Sequence, residues 1–489
     1  MFSEVKPRHL PAFHLIAAVL LLTSGRGDST GQEQEPVVTT TLYHHDPEHL
    51  WNRVHAALFI RLGPDGRAYG EDRLEPLLWN ESIHLLKGKS AARAVSVLEQ
   101  FARERGETLA DDPVKRAMLQ RDLWLVFQWL ARDRDALMQD PARKRLGVAL
   151  AGAIRRLALT SEQIARLPDN YASAVAARGF SERFDPEEPE QSYLPPDLFN
   201  PDGPWVCVGP TDGPTAPVHL DEGGGNRFTN SVFLVFLKLP DGRAATLDFL
   251  KRLAEFAGPL YLANADANTK QLFPNLPNPA LPPWPKGTEV ALVRQALLID
   301  SNGRIVPSPL TEKLQLRVMG RDPPAMTAQA VEELGQAMAE GYADRAQAFV
   351  EFQLRRTALF AGRTGGLRDV SGERDFKTGF NAYSWDEFQL DHAPDRSTTS
   401  FLQRSQLFRN QRATCIGCHP YPGVYIFNSF HGDFPFTVGR ELRDGRDGDY
   451  VPRSFPLAAT SRAKVAQAAV AWKESRPGWQ ALKELLSKE

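Results

Sequence analysis

Residues 140–157 read DPARKRLGVALAGAIRRL, and this stretch sets the fold of the first part of the chain. Its apolar residues recur at intervals of three and four positions and form one stripe along a helix; they are Leu146, Ala149, Leu150, Ala153, Ile154 and Leu157. Asp140 suits the cap position because it can accept hydrogen bonds from the free amides, and Pro141 suits the first helical position. A helix with one apolar face buries that face against other elements, so the stretch predicts a helical bundle.

The neighbouring sequence extends the bundle in both directions. The same Asp-Pro start occurs at Asp46-Pro47 and at Asp112-Pro113, and we expect a helix to begin at each. The second pair precedes a further apolar stripe of Leu119, Leu123, Val126, Phe127 and Leu130. Thr160 and Gln163 have the spacing of a capping box for one more helix. We therefore predict a helical domain over residues 46–180.

After a linker over residues 181–204, rich in proline and acidic residues, the pattern changes. Residues 232–239 form a continuous apolar run that ends at Pro240-Asp241-Gly242, which is typical of a short buried strand. Residues 289–300 and 304–318 flank Ser301-Asn302-Gly303, and Asn-Gly between apolar runs predicts a hairpin. We predict a mixed α/β domain over residues 205–325.

Residues 326–489 are expected to form the last part of the fold. The pattern over 327–360 predicts one long helix or two abutting helices, ended by glycines at 362, 365 and 366. A loop-rich stretch and a short helix over 397–412 should follow. The predicted fold class is multi-domain α+β and predominantly helical, with an N-terminal helical bundle, a small central β-containing domain and a C-terminal segment of helices and loops.

The first 25 residues resemble a signal for export. Lys6 and Arg8 give a basic start, residues 10–22 are apolar apart from one histidine, and small residues follow at 23–25. The apolar stretch is shorter than the roughly twenty residues of a membrane span. We expect a signal peptide at 1–25, a linker at 26–45, a periplasmic location in a bacterium, and no transmembrane span beyond the signal; an uncleaved signal would tether the protein to the membrane.

Composition narrows the function classes. The chain has 489 residues, a formal net charge of −2 and only three cysteines. Proteins that bind nucleic acid carry an excess of basic residues, so this charge argues against such a partner. Three cysteines also exclude a scaffold built on disulfides.

Two of the three cysteines fall in Cys415-Ile416-Gly417-Cys418-His419. This C-x-x-C-H spacing is the attachment signature of a c-type haem. Two thiols three positions apart can each form a thioether with a vinyl group of the porphyrin, and the adjacent histidine can supply an axial nitrogen to iron. The motif is the most specific feature of the sequence.

On these five residues and the helical approach to them, the chain resembles the c-type cytochromes. The resemblance implies one covalent haem c held by Cys415 and Cys418, with His419 as the proximal iron ligand. It covers little else of the chain.

The sequence leaves several candidates for the second axial ligand of the iron. Many small cytochromes c use a methionine downstream of the motif, but residues 420–489 contain none. We favour His431, which lies among aromatic residues that are suited to a haem pocket. His392, Met338 and an open iron position are the alternatives.

Three other kinds of site could also use the motif. A zinc site would combine Cys207, Cys415, Cys418 and His419, but neighbouring side chains seldom converge on one ion. A thioredoxin-like dithiol should follow an apolar strand, whereas polar residues 409–412 precede this one. A disulfide between Cys415 and Cys418 would leave His419 unexplained. Cys207 lies in a short apolar run and is expected to be a small buried hydrophobe.

Two weaker clusters have simple interpretations. The first cluster has several ring nitrogens that could bind a metal ion, on His44, His45 and His49. We expect these residues to form the solvent-exposed start of a helix instead. Arg404, Arg409 and Arg412 are suited to haem propionates, although a solvated surface accounts for them as well.

These observations predict an exported monohaem protein that transfers one electron at a time and meets a redox partner protein. The alternatives are an enzyme or sensor with an open iron position, which handles peroxide or another small ligand, and a large binding or scaffold protein in which the haem segment is minor.

Overall fold

The computed structural model describes residues 38–62, 68–72, 85–86, 88–210, 214–215, 230–257, 261–263, 275–277, 280, 282, 284–319, 347–371 and 457–487. These residues belong to one compact unit, Val38–Glu489. The fold within it is mixed α+β.

The first part of the described chain is helical. Its helices are α1 (Leu50–Phe59), α2 (Gly88–Arg103), α3 (Pro113–Leu130), α4 (Arg134–Gln139), α5 (Pro141–Leu157), α6 (Ser161–Ala165) and α7 (Asn170–Ala176). The short strands β1 (Arg61–Leu62) and β2 (Ala68–Tyr69) pair between α1 and α2.

The capping residues explain where several of these helices begin. The Asp112 and Asp140 side chains accept hydrogen bonds from the first amides of α3 and α5, and each helix has proline at its start. Thr160 and Gln163 form the predicted capping box of α6. The prediction of a helix starting at Asp46-Pro47 is wrong. There Asp46 closes a turn, and α1 begins at Leu50 with His49 as its cap, because the His49 ring accepts from the Trp51 amide.

A seven-stranded antiparallel sheet follows within the described residues. Its strands lie in the order β10-β9-β8-β7-β4-β3-β11. They are β3 (Val206–Pro210), β4 (Ser231–Lys238), β7 (Glu289–Ile299), β8 (Ile305–Met319), β9 (Gln347–Leu354), β10 (Leu367–Asp369) and β11 (Leu457–Ala459). A separate pair consists of β5 (Tyr261–Ala263) and β6 (Asn275–Pro277).

Two predicted features of the sheet are confirmed. The apolar run over 232–239 supplies the buried strand β4. Strands β7 and β8 form the hairpin around Ser301-Asn302-Gly303, with Ile299 paired to Ile305 and Glu289 paired to Val318. A register shift between Arg294 and Leu297 makes this long hairpin irregular at one point.

The long helix predicted over 327–360 is wrong for residues 347–354, which form β9. Polar Gln347, Glu351 and Gln353 alternate with apolar neighbours there, and a period of two fits a strand rather than a helix. Only α9 (Arg356–Phe360) is helical in the described part of that stretch. Residues 327–346 lie outside the described residues. Because β9 pairs with β8, the sheet crosses the boundary predicted at 325/326.

Each face of the sheet has its own apolar core. The first core joins α1 to α7 with one face of the sheet and with α10 (Arg462–Glu474) and α11 (Pro477–Leu486). Trp124 of α3 and Trp479 of α11 meet in it, with ring centroids 5.9 Å apart. The second core lies on the opposite face, where α8 (Gly242–Ala254) packs with Trp284 against β3, β4 and β7. No helix among the described residues combines the length and the apolar character needed to cross a membrane.

Candidate functional site

The residues of the predicted haem site, Cys415, Cys418, His419 and His431, lie outside the described residues. The other two candidates for an axial ligand, His392 and Met338, lie outside them as well. The structure does describe the strands that bracket the motif segment, which we define as residues 372–456. Strand β10 ends at Asp369, shortly before the segment begins, and β11 begins at Leu457, directly after the segment.

These two bracketing strands lie at opposite edges of the sheet. Six strand-to-strand steps separate β10 from β11 in the described order. At about 4.8 Å per step, the two edges are roughly 29 Å apart. The motif segment therefore connects the strand at one edge of the sheet to the strand at the other edge. In the sequence it is an insertion between two strands of the sheet, not an extension after the last strand.

Cys207, the third cysteine, lies on β3 opposite Phe236 of β4. Its side chain is buried in the first core. Burial raises the pKa of the Cys207 thiol to about 12, although Arg462 acts in the opposite direction. A thiol in this setting stays protonated and is a poor nucleophile or metal ligand. The expectation that Cys207 packs as a small hydrophobe is confirmed.

The ring of His44 lies against the rings of the two other histidines near α1: it stacks on His49 and is tilted against His45. The ring centroids of His44 lie 4.0 Å from His45 and 4.2 Å from His49. His44 Nδ1 accepts from the Asp46 amide and His49 Nδ1 accepts from the Trp51 amide, so both atoms hold backbone in place. Partial burial, with His44 nearby, lowers the pKa of His49. Across the part of the chain that the structure describes, no group of three or more histidine, cysteine or acidic side chains is arranged to hold a metal ion.

One face of the sheet carries a row of polar residues that sequence reasoning missed. Arg294 of β7 pairs with Lys313 of β8, which pairs with Gln353 of β9. The next row on the same face contains Gln315 and Glu351. Lys313 Nζ lies 2.8 Å from Glu351 Oε1, and Glu351 is fully buried. The alternation of Lys313, Gln315 and Arg317 along β8 was the available signal, because residues two apart share a face.

Two buried acidic side chains connect helix α3 to its neighbours, one to the sheet and one to α9. Glu312 of β8 accepts from Arg121 Nη2 at 2.9 Å and from Arg294 Nη2 at 3.2 Å. Ser231 Oγ donates to the same carboxylate at 2.7 Å. The second acid, Asp122, follows Arg121 on α3 and accepts from Arg356 of α9. Because every partner is buried, these contacts fix the orientation of α3 relative to the sheet and α9.

Around Asp122 the structure brings together four side chains of different chemistry. We call this group the polar quartet: Tyr43, His55, Asp122 and Arg356. Burial raises the pKa of Asp122 to about 6, against the lowering effect of Arg356, and burial with the Arg356 charge lowers the pKa of His55 to about 3. Burial also raises the pKa of Tyr43. Buried groups with strongly shifted pKa values are candidates for function. Nothing in the local sequence indicates the quartet, because its members come from distant positions.

Searches of the protein-family models, of curated proteins and of solved structures find no match to this chain, so the comparisons assign it to no family.

Proposed function

We propose that the chain is an exported monohaem protein, similar to the c-type cytochromes, that transfers one electron at a time through a haem c bound to Cys415 and Cys418. The observation that carries the proposal is the run Cys415-Ile416-Gly417-Cys418-His419 in a chain with three cysteines. Two thiols and an adjacent imidazole are the donor set that covalent attachment and axial ligation require.

The third cysteine supports this proposal over a zinc site. A four-ligand zinc site built from the motif would need Cys207 as a thiolate. The Cys207 thiol is buried in the first core, and burial raises its pKa to about 12. The two remaining cysteines and His419 are one ligand short of such a site.

The residues of the chain have separate roles in this proposal. Cys415 and Cys418 would hold the cofactor, and His419 would bind iron through a neutral ring nitrogen, so its other nitrogen would need a hydrogen-bond acceptor. His431 is proposed as the second axial ligand. The bound haem would supply the one-electron chemistry, whose potential the axial ligands and burial tune.

The proposal includes a setting for this chemistry. The signal at residues 1–25 would export the chain to the periplasm, where a redox partner protein would exchange electrons with it. The predominantly helical, multi-domain layout stays a prediction, with residues 326–489 as the part that carries the haem.

Mass spectrometry of protein made in a host that matures c-type haem tests the attachment. The mature chain should carry the added mass of one haem and give the pyridine haemochrome spectrum of a haem with two thioether bonds. The double variant C415A/C418A should lose both, whereas the matched control C207A should keep both. A wild-type chain without the added mass, purified from such a host, contradicts the proposal.

Absorption spectroscopy tests the second axial ligand. The reduced wild-type protein should be low-spin, and H431A should convert it to a high-spin form that binds carbon monoxide. H392A and M338L are the controls and should leave the spectrum unchanged. If H431A remains low-spin while one of the controls becomes high-spin, the ligand is the residue changed in that control.

An open iron position is the second candidate, favoured by the absence of methionine from residues 420–489. In that case the wild-type protein itself would be high-spin and would bind carbon monoxide. The function would then be that of an enzyme or sensor for peroxide or another small ligand. A chain whose haem exchanges no electrons with added redox partners and binds no small ligand would instead support a binding or scaffold protein.

A further inference from the structure

We infer that the polar quartet of Tyr43, His55, Asp122 and Arg356 binds one ordered water molecule inside the protein. The four residues come from four segments: the stretch before α1, α1 itself, α3 and α9. All four are at most 2 % exposed.

Each member of the polar quartet has one buried polar atom without a hydrogen-bond partner in the protein. These atoms are Tyr43 Oη, His55 Nδ1, Asp122 Oδ1 and Arg356 Nη1. A buried polar group without a partner destabilises the folded state. Four such groups on neighbouring side chains point to an additional molecule that satisfies them, since buried polar groups are nearly always paired.

The other contacts of the quartet fix what each atom can do. His55 Nε2 lies 3.0 Å from the Glu71 carbonyl oxygen, which can only accept, so the proton of the neutral ring is on Nε2 and Nδ1 is an acceptor. Asp122 uses Oδ2 for both contacts with Arg356, at 2.9 and 2.6 Å, which leaves Oδ1 as a second acceptor. Arg356 Nη1 can only donate, and the Tyr43 hydroxyl can do both.

The quartet therefore offers two acceptors and two donors. A water molecule has two hydrogens and two lone pairs, and internal waters in proteins commonly form two to four hydrogen bonds. Its hydrogens would be donated to His55 Nδ1 and Asp122 Oδ1, and its oxygen would accept from Arg356 and Tyr43. The mixture of charges favours water over an ion, because an anion would meet the Asp122 carboxylate and a cation would meet the Arg356 guanidinium.

The four side chains are neighbours in the folded protein. The ring centroids of Tyr43 and His55 lie 5.5 Å apart. The charges of Asp122 and Arg356 both act on the Tyr43 hydroxyl, and the charge of Arg356 also acts on His55. Arg356 also lies close enough for hydrogen bonding to the Tyr43 hydroxyl to lower the pKa of that group, although the geometry of a well-formed bond between them is not met.

This site is independent of the proposed haem function. The bound water would connect the start of the helical part to α3 and to α9 through hydrogen bonds. Such a water is part of the fold, and removing one of its partners should weaken the folded state.

A crystal structure at a resolution that shows ordered water tests the site directly. Density for one water within hydrogen-bond distance of the four atoms supports the inference. Direct bonds among the four atoms, or an interior without that density, overturn it.

Unfolding measurements on Tyr43→Phe provide an independent test. If the hydroxyl binds the water, its loss should raise the equilibrium constant for unfolding about fivefold, as for one buried hydrogen bond. The matched control is Tyr171→Phe, which removes a direct 2.6 Å bond to the Pro195 carbonyl and should show a similar change. An unchanged or lower constant for Tyr43→Phe, with the expected rise in the control, overturns the inference, because removing an unpartnered buried hydroxyl costs nothing.

Discussion

Arg356 and Asp122 are 234 positions apart in the sequence and form an ion pair in which both side chains are fully buried. Two guanidinium nitrogens of Arg356, Nε and Nη2, donate to the same carboxylate oxygen, at 2.9 and 2.6 Å. The pair joins α3 of the helical part to α9, which precedes the edge strand β10. It is therefore one of the contacts that hold this edge of the sheet against the helices.

Breaking this pair from one side should be strongly destabilising. In R356M or D122N, one group stays buried without its partner, and we expect a loss of about 3–5 kcal/mol in the free energy of unfolding. The double variant D122N/R356M should lose less than the sum of the two single variants. Urea unfolding of all four proteins measures the coupling.

An exposed pair of the same chemistry is the control. Arg145 Nε lies 2.7 Å from Glu99 Oε1, but the two side chains are 65 % and 36 % exposed. R145M should leave the free energy of unfolding almost unchanged, because an ion pair between exposed side chains contributes little to stability. Equal effects for R145M and R356M would show that burial does not control the strength of the Asp122 contact.

Gly365 should not tolerate a side chain. It has a φ of 57°, and a Cβ atom there would lie 1.8 Å from the Asn170 carbonyl oxygen at the start of α7. Gly362 also has a positive φ, of 65°, but has open space around it. We expect G362A to cost about 1–2 kcal/mol from backbone conformation alone, and G365A to cost clearly more. Thermal unfolding of the two variants compares them, and similar melting temperatures would contradict the close packing at Asn170.

The stability of the protein should fall as the pH drops below neutral, partly because of His55. The pKa of His55 is lowered to about 3 in the folded protein, whereas the unfolded chain takes up this proton near pH 6.5. The contribution of the neutral His55 ring to the free energy of unfolding is therefore complete above pH 6.5 and is lost on acidification. Between about pH 7.5 and pH 5, the loss from His55 should be about 2 kcal/mol. Urea unfolding of wild type and H55Q at the two pH values measures the part of this loss that comes from His55.

The comparison with H55Q is needed because Asp122 acts in the opposite direction. Burial raises the pKa of Asp122 to about 6, so its protonation on acidification favours the folded state. The same pH dependence in H55Q and wild type would contradict the burial of His55.

Cys207 should be unreactive until the protein unfolds. In the C415A/C418A variant it is the sole cysteine, so thiol labelling reports on it alone. Because burial raises the pKa of the thiol to about 12, we expect alkylation at least a hundredfold slower than in urea, as inferred from the loss of thiolate. Mass spectrometry over time measures both rates, and equal rates would place Cys207 outside the core.

The elements that could be predicted from the sequence are those with local signals. The helix over 141–157 has its cap, proline and apolar stripe within 18 positions, and the β7–β8 hairpin is marked by Asn302-Gly303. Strand β9 was mistaken for helix because its eight residues follow a long stretch with helical spacing. The pairing of β3 with β11 could not be predicted, since nothing near Val208 indicates a partner at Ala459.

The candidate sites also differ in whether a local sequence signal marks them. The haem motif is readable because its five residues are contiguous. Tyr43 and Arg356 have no local signal of their proximity, because tertiary packing alone brings them together. Their burial and shifted pKa values appear only after folding.

Residues 372–456 lie in sequence between the two edge strands of the same sheet, and this position limits how the gene can be shortened. Ending translation at residue 371 would delete β11 and also α11, whose Trp479 fills space beside Trp124 in the first core. Such a stop codon should yield an insoluble product, even though all but one strand of the sheet would still be encoded. An in-frame excision confined to the interior of 372–456, by contrast, keeps both edge strands and the two helices that follow β11.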